Sequence, residues 1–252
     1  MFLALALVLS YLAGSIPTSV WLGRAVYGLD VRAHGSGNAG ATNVYRVLGW
    51  KAGVFVLLFD AFKGWFAASV LGTLAMFDSW AVWGGGLDAL EGSDAVVAVR
   101  LACGVAAILG HSFPVFAGFK GGKGVATTAG VLLALTPGAL AITIAAFLIV
   151  TVPTRLVAVG SLTAALAYPA TLFAERFVFD RAIPAVLLVV GTAMGAWLFW
   201  THRGNIVRLV RGEETRLVPG ERVRGFDDRV PADAPVGVPA DADPTAARPS
   251  TP

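Results

Sequence analysis

The feature that most constrains this 252-residue chain is a succession of apolar runs, each about twenty residues long, separated by short polar connections. Crossing a hydrocarbon layer of about 30 Å takes roughly 20 helical residues. Lipid tolerates only structures that pair their own backbone polar groups. Runs at 2–22, 52–77, 95–113, 156–173 and 183–200 meet that length. Only 14% of the residues are charged, against about 25% in a soluble domain, so most of the surface must face lipid. The expected fold is an all-α integral membrane protein. No basic segment precedes the first run, because basic residues begin at Arg24, so it reads as a retained helix.

The stretch 125–153 is apolar throughout but is interrupted by Thr136-Pro137-Gly138. It reads either as one kinked helix or as two short tilted ones. The basic residues bear on this choice. Arg24, Arg32, Arg46 and Lys51 fall in one connection, Lys120 and Lys123 in another, Arg155 before the next run, and Arg203, Arg208 and Arg211 after the last. The connection at 78–94 carries Asp78, Asp88, Glu91 and Asp94 and no basic residue. A turn at 136–138 on the outer face places all these basic groups on one side, as cytoplasmic loops require. This gives about seven transmembrane helices, with the N-terminus outside and the C-terminus cytoplasmic. The glycine-rich stretch 83–94 reads as an outer connector. Residues 1–217 form the membrane domain, and the Pro/Ala/Asp-rich tail 218–252, with little to bury, is expected to be disordered. The net charge of +3 is explained by the basic cytoplasmic face, and no nucleic-acid partner is expected.

Three polar clusters fall on the expected cytoplasmic side. RAHGSGNAGATNVYRVLG, at 32–49, packs Ser36, Asn38, Thr42, Asn43 and Arg46 among glycines that include Gly37 and Gly40. Hydroxyls, amides and an arginine suit phosphate and polyol recognition; the plainer reading is a polar turn capped by Thr42 or Asn43. GHSFPVFAGFKGGKGVAT, at 110–127, holds His111, Lys120, Gly121, Gly122, Lys123 and Gly124. Glycine lets backbone N–H groups approach an anion and lysine adds charge. It is not a P-loop, since Gly124 follows Lys123 where Ser or Thr is needed; the plainer reading is a basic anchor on anionic lipid. HRGNIVRLVRGEETR, at 202–216, places His202 and Asn205 three apart, as it does Arg208 and Arg211. Its plainer reading is a stop-transfer segment. Within the second run, Asp60 and Lys63 stand at i, i+3. Ionisable groups there are costly and are paired or functional, so they read as an internal ion pair, with a ligand role for Lys63 as the sharper alternative.

Several chemistries are excluded. The lone cysteine, Cys103, allows no intramolecular disulfide. The three histidines, His34, His111 and His202, have no carboxylate or cysteine at ligand spacing. No GxSxG or CxxC occurs, and no histidine is followed by aspartate at HxxxxD spacing.

Together the motifs GSIPTS (14–19), GSGNAGATN (35–43), DAFKG (60–64), GHSFPVF (110–116), FKGGKGVAT and HRGNI resemble the bacterial acyl-phosphate:glycerol-3-phosphate acyltransferases, the PlsY family. The resemblance covers residues 1–217. It implies a multi-pass enzyme of the bacterial inner membrane with its active site on the cytoplasmic side. The enzyme would move a fatty acyl group from acyl phosphate to the 1-position of sn-glycerol 3-phosphate, giving lysophosphatidic acid and phosphate. The catalytic set carried over is Ser36, Arg46, Lys123, His202 and Asn205. Substrate-binding positions are Gly37, Asn38, Gly40, Thr42, Asn43, Lys63, His111, Lys120, Gly121, Gly122, Gly124, Arg203 and Glu214. No cofactor and no metal are implied; the partners are the two substrates and membrane lipid, and a monomer suffices. One departure is Thr201, where the family pattern has arginine, with Arg203 as the neighbouring cation. The alternative class is a transporter or channel for an anionic phosphorylated metabolite, which would also use glycine loops at broken helices.

Overall fold

The computed structural model describes residues 1–76 and 94–217. The expected outer connector at 83–94, except its last residue, and the expected tail lie outside them. The described residues are all-α, in ten helices with short 3₁₀ turns.

The first apolar run is not one helix. α1 (Phe2–Gly14) stops before Ser15-Ile16-Pro17 and α2 (Thr18–Tyr27) resumes at a 40° bend. Pro17 has no N–H to continue the ladder and disfavours helix at the residue before it. Residues 28–40 are loop around a 3₁₀ turn at Val31–Ala33. Asp30 caps that turn through Arg32 N and pairs with the Arg24 and Arg32 guanidiniums at 2.9 and 2.7 Å, which hold its carboxyl well below the usual range.

α3 (Ala41–Leu48) is short and amphipathic, and Val44, Val47 and Leu48 pack with Val31 and Val56. α4 spans Trp50–Ala75 and includes a π-helical turn at Ala67–Leu71. α5 is Asp94–Ser112. The apolar stretch 125–153 resolves into two helices, α6 (Val125–Leu135) and α7 (Pro137–Thr154), broken at Thr136, with Pro137 opening α7 where its missing N–H costs nothing. α8 (Val157–Phe177), α9 (Ala185–Thr201) and α10 (Arg203–Val210) complete the order, with a 57° bend between α9 and α10.

Among the described residues, four helices are long and apolar enough to cross a membrane, or six if each bent pair counts as one span. Helices in lipid gain little from apolar contact and pack through small residues. A methyl group at Gly110 would overlap Tyr11 O of α1, and one at Gly130 would overlap Ala61 O of α4, so α5 and α6 lie almost backbone-to-backbone against their partners. The largest core joins Leu101, Val131, Leu140, Leu172 and Leu188 from α5 to α9. Large apolar side chains such as Leu58, Ile149, Leu166 and Val189 face outward, as a lipid-facing surface requires.

Candidate active site

The three polar clusters line one cavity of about 540 Å³. Residues 36–46 enter by the loop before α3 and by α3 itself. The glycine-lysine loop enters from the end of α5, and the third cluster enters at the α9–α10 bend.

In the first cluster, Asn43 is almost fully buried. Its amide Nδ2 donates to the carbonyls of Val31 (2.8 Å) and His34 (3.1 Å), and its Oδ1 accepts from Ser36 N (2.8 Å) and Oγ (3.2 Å). Asn43 therefore staples the loop and does not cap α3, whose N-cap is Gly40. The staple fixes Ser36 beside Asn38, Gly40 and Thr42 on the cavity wall; Gly37 follows Ser36 at φ +70° and does not line it. Arg46 donates through Nη2 to Thr215 O (2.8 Å), while its buried Nε has no partner among the described residues. A buried N–H left unpaired is costly, and this one belongs to a cation on the wall of the cavity. Burial, with the nearby Arg208, pushes its pKa down.

In the second cluster, the glycines serve packing first. Gly121 N donates to Ser112 O and Gly122 N to His111 O, at 3.3 and 3.1 Å. A methyl at either glycine would overlap His111. The loop thus turns tightly over His111 and brings Lys123 to the cavity. Gly124, at φ +83°, launches α6. Arg32 Nη1 clips the loop by donating to Ala117 O (2.8 Å) and Lys120 O (3.3 Å), and the Lys120 side chain is exposed away from the cavity.

In the third cluster, His202 and Asn205 flank the α9–α10 bend. His202 Nδ1 lies 2.8 Å from Leu198 O. A carbonyl can only accept, so Nδ1 carries the proton and Nε2 is the ring's acceptor. Burial, with the Lys123 charge adding to it, pushes the imidazole pKa down to about 4, so the ring is neutral at pH 7. Lys123 Nζ donates to Asn205 Oδ1, and Asn205 Nδ2 donates to Glu214 Oε1 (2.7 Å). Arg208 Nε donates to Glu214 Oε2 (2.8 Å). Burial pushes the Lys123 ammonium down to about 8 against the opposing pull of Glu214. Residues 213–217 run across this side as a strap, held at Arg46 by Thr215 O and at Arg155 O by Leu217 N (2.7 Å). Arg203 lies outside the cavity, exposed and stacked over the Trp200 ring at 4.4 Å.

Asp60 and His111 also line the cavity. Asp60 is paired with Lys63 at 2.9 Å, accepts from Thr18 Oγ1 at 3.2 Å and lies 3.7 Å from His111 Nδ1. Lys63 donates its remaining reach to Ile16 O (3.0 Å) and does not line the cavity. The pair is internal, and it ties α4 to the break between α1 and α2.

The sequence reading did not anticipate half of the cavity wall. Val54 and Leu57 of α4, Phe147, Leu148 and Val152 of α7, and Val157 and Ala158 of α8 extend it as a mainly apolar groove, with the hydroxyl residues Thr151 and Ser161 among them. Arg155, between α7 and α8, lines the same cavity and is tied towards Arg46 by the strap, since its carbonyl accepts from Leu217 N while Arg46 holds Thr215 O. In sequence these positions are ordinary members of apolar runs, and only the Arg155 charge marks the place. Among the described residues no group of three or more His, Cys, Asp or Glu is placed to hold a metal.

Comparison with known proteins converges on one family. The family profile described as glycerol-3-phosphate acyltransferase matches residues 4–212. A glycerol-3-phosphate acyltransferase of Salinibacter ruber is 42% identical over 224 residues, covering 89% of this chain and 96% of its own. One from Chlorobaculum parvum is 42% identical over 237 residues, covering 88% and 98%. The solved structure of PlsY, an integral membrane glycerol 3-phosphate acyltransferase, in its glycerol 3-phosphate form superposes with a TM-score of 0.70 at 35% identity, covering 86% of this chain and 96% of that one. Its lysophosphatidic acid form gives 0.68 at 34% identity. With motifs, cavity and relatives in agreement along nearly the whole membrane-embedded part, the chain belongs to the glycerol-3-phosphate acyltransferase family.

Proposed function

We infer that this acyltransferase takes its fatty acyl group from acyl phosphate and esterifies the 1-hydroxyl of glycerol 3-phosphate. The observation that carries this reading is the composite cavity. Its polar end gathers Arg46, Lys123 and the neutral His202, and its other end is an apolar groove between α4, α7 and α8. That shape suits one small dianion and one dianion bearing an acyl chain. In the transfer, the glycerol hydroxyl oxygen attacks the acyl carbonyl carbon. The new ester C–O bond forms, the bond from the carbonyl carbon to the phosphate oxygen breaks, and phosphate departs with the hydroxyl proton. The mixed anhydride is already activated, so the protein supplies orientation and charge neutralisation, and neither a cofactor nor a covalent acyl-enzyme is needed.

The proton goes to the substrate phosphate. Burial, with the Lys123 charge adding to it, holds the His202 imidazole down at about 4 and makes it a weak base, and the leaving phosphate takes up the proton as its bond to the carbonyl carbon breaks. His202 Nε2, the ring's acceptor, takes a hydrogen bond from the 2-hydroxyl of glycerol 3-phosphate and orients the glycerol, leaving the proton of the 1-hydroxyl to the phosphate. Ser36, Asn38, Thr42 and Asn205 supply further polar contacts at the same end, and Glu214 holds Asn205 and Arg208 in place. Asn43, His111, Gly121, Gly122 and Gly124 act by shaping the site, and Lys63 by pairing Asp60.

The membrane domain is residues 1–217, followed by a cytoplasmic tail. Seven crossings, with the N-terminus outside and the clusters at the cytoplasmic end of an inner-membrane protein, fit the basic-residue asymmetry and the break at Thr136. One chain supplies all three clusters, so a monomer suffices. The donor is tested by offering purified protein palmitoyl phosphate, palmitoyl-coenzyme A and a palmitoyl thioester carrier with glycerol 3-phosphate. Acylation from palmitoyl phosphate alone is expected; faster transfer from a thioester would overturn the assignment.

A further inference from the structure

Arg155 belongs to none of the three motif clusters, yet it lines the cavity. It stands between α7 and α8, the two helices that provide Leu148, Val152, Val157 and Ala158 to the apolar groove. Arg46 and Lys123 reach the same cavity from α3 and from the glycine-lysine loop.

The backbone at Arg155 is unusual for its residue type. It caps α7 in the left-handed region, at φ +59° and ψ +18°, where glycine is the usual occupant. The conformation is fixed from both sides. Arg155 N donates to Thr151 O (2.8 Å), and Arg155 O accepts from Leu217 N of the strap (2.7 Å). A residue with a long side chain held in a strained conformation points to a use for that side chain.

The guanidinium has no hydrogen-bond or ion-pair partner among the described residues. Arg24 and Arg32 are tied to Asp30, Arg208 to Glu214, and Arg100 and Arg176 to backbone carbonyls. Arg211 and Arg216 also have none, but they do not line the cavity. The reaction brings two phosphates into one cavity, each carrying about −1.5 to −2 charges. The Glu214 carboxylate already takes up Arg208, and Arg46 with Lys123 balances only one of the phosphates.

We propose that Arg155 binds the phosphate of the acyl phosphate, at the point where the acyl chain leaves the polar site and enters the groove. Arg46 and Lys123 are then left to glycerol 3-phosphate. The proposal rests on acyl phosphate being the donor. It makes Arg155 a determinant of donor affinity, and its planar fork suits a phosphate.

Arg155→Gly gives a clean test, because glycine accepts the backbone conformation and removes only the side chain. Kinetics are measured in phosphatidylcholine proteoliposomes with palmitoyl phosphate and glycerol 3-phosphate varied separately. The KM for palmitoyl phosphate is expected to rise at least tenfold in Arg155→Gly, with the KM for glycerol 3-phosphate within twofold and thermal stability unchanged or higher. Arg155→Lys should recover part of the loss. A purely capping role for Arg155 would leave Arg155→Gly with normal kinetics, and that result overturns the proposal. So does a rise confined to the KM for glycerol 3-phosphate. Repeating the series with phosphatidylglycerol separates a lipid headgroup from the substrate phosphate: a defect seen only with the anionic lipid would assign Arg155 to the membrane. Wild-type protein that transfers nothing from palmitoyl phosphate overturns the donor reading and this inference together, whereas an active wild type with a normal Arg155→Gly overturns this inference alone.

Discussion

Replacing Lys123 by methionine keeps the stem and removes the charge. Its ammonium is half-buried, donates to Asn205 Oδ1 and has its pKa lowered to about 8, mainly by burial. The cost of dehydrating it therefore falls on folding, before substrate arrives. At about 3 Å and an effective dielectric of about 20, a unit charge attracts a phosphate charge by about 5 kcal/mol. Arg46 shares the load, so a net loss of about 2–4 kcal/mol of transition-state binding is expected. That corresponds to a fall in kcat/KM for glycerol 3-phosphate of about 30- to 900-fold. The pH dependence gives a second readout. Lysine must be protonated to hold phosphate, so wild-type kcat/KM should fall as pH rises through about 8. On the acid side it should fall below about 6, where the substrate phosphate takes up its proton. Lys123→Arg should retain part of the activity and lose the alkaline limb, because guanidinium stays charged. The assay is initial-rate phosphate release from pH 5 to 9.5. A Lys123→Met protein within threefold of wild type, or an alkaline limb that persists in Lys123→Arg, would refute the reasoning.

Three further outcomes follow from the same geometry. His202→Gln should lower kcat by less than about tenfold and leave the acidic limb in place, since that limb belongs to phosphate; a loss of 10²–10⁴ with the limb gone would identify the imidazole as general base. Lys63→Met leaves the Asp60 carboxylate buried without its cation and should cost about 3–5 kcal/mol of stability, whereas Asp60→Asn with Lys63→Met should regain much of it; equal melting temperatures for the single and double variants would contradict the pairing. In sealed right-side-out vesicles an impermeant thiol reagent should label a cysteine at Asp88 and spare one at Ser36 or Lys120, and equal labelling would overturn the topology.

The polar half of the site was readable in the sequence because its chemistry sits in contiguous motifs. Ser36 to Arg46, Lys123 and His202 to Asn205 occupy three short stretches, and the resemblance they carry led to the family that the relatives show. What each residue does within the stretch was less readable. Asn43 and the Gly121 and Gly122 amides look like ligand donors, but their hydrogen bonds close on the protein itself. Arg203 and Lys120 sit in the right motifs and point elsewhere, because a bend or tight turn sets direction independently of sequence distance. The apolar groove was invisible. Leu57, Leu148 and Val157 are indistinguishable in sequence from lipid-facing neighbours, and only packing decides which of them line a cavity. Pro17 was on view within its run, but a run judged by hydropathy hides the 40° break that lets Thr18 and Ile16 reach Asp60 and Lys63.

The central claim is direct transfer between two phosphorylated substrates held in one cavity, with no acyl-enzyme. It is tested by following phosphate and lipid product together, using purified protein in phosphatidylcholine bilayers, palmitoyl phosphate, and glycerol 3-phosphate carrying ¹⁸O in its 1-hydroxyl. Phosphate should appear only when glycerol 3-phosphate is present and in equal amount with lysophosphatidic acid, and the ¹⁸O should be retained in the new ester. A burst of phosphate from palmitoyl phosphate alone, stoichiometric with enzyme, would contradict direct transfer, and phosphate release without any lysophosphatidic acid would contradict the assigned reaction.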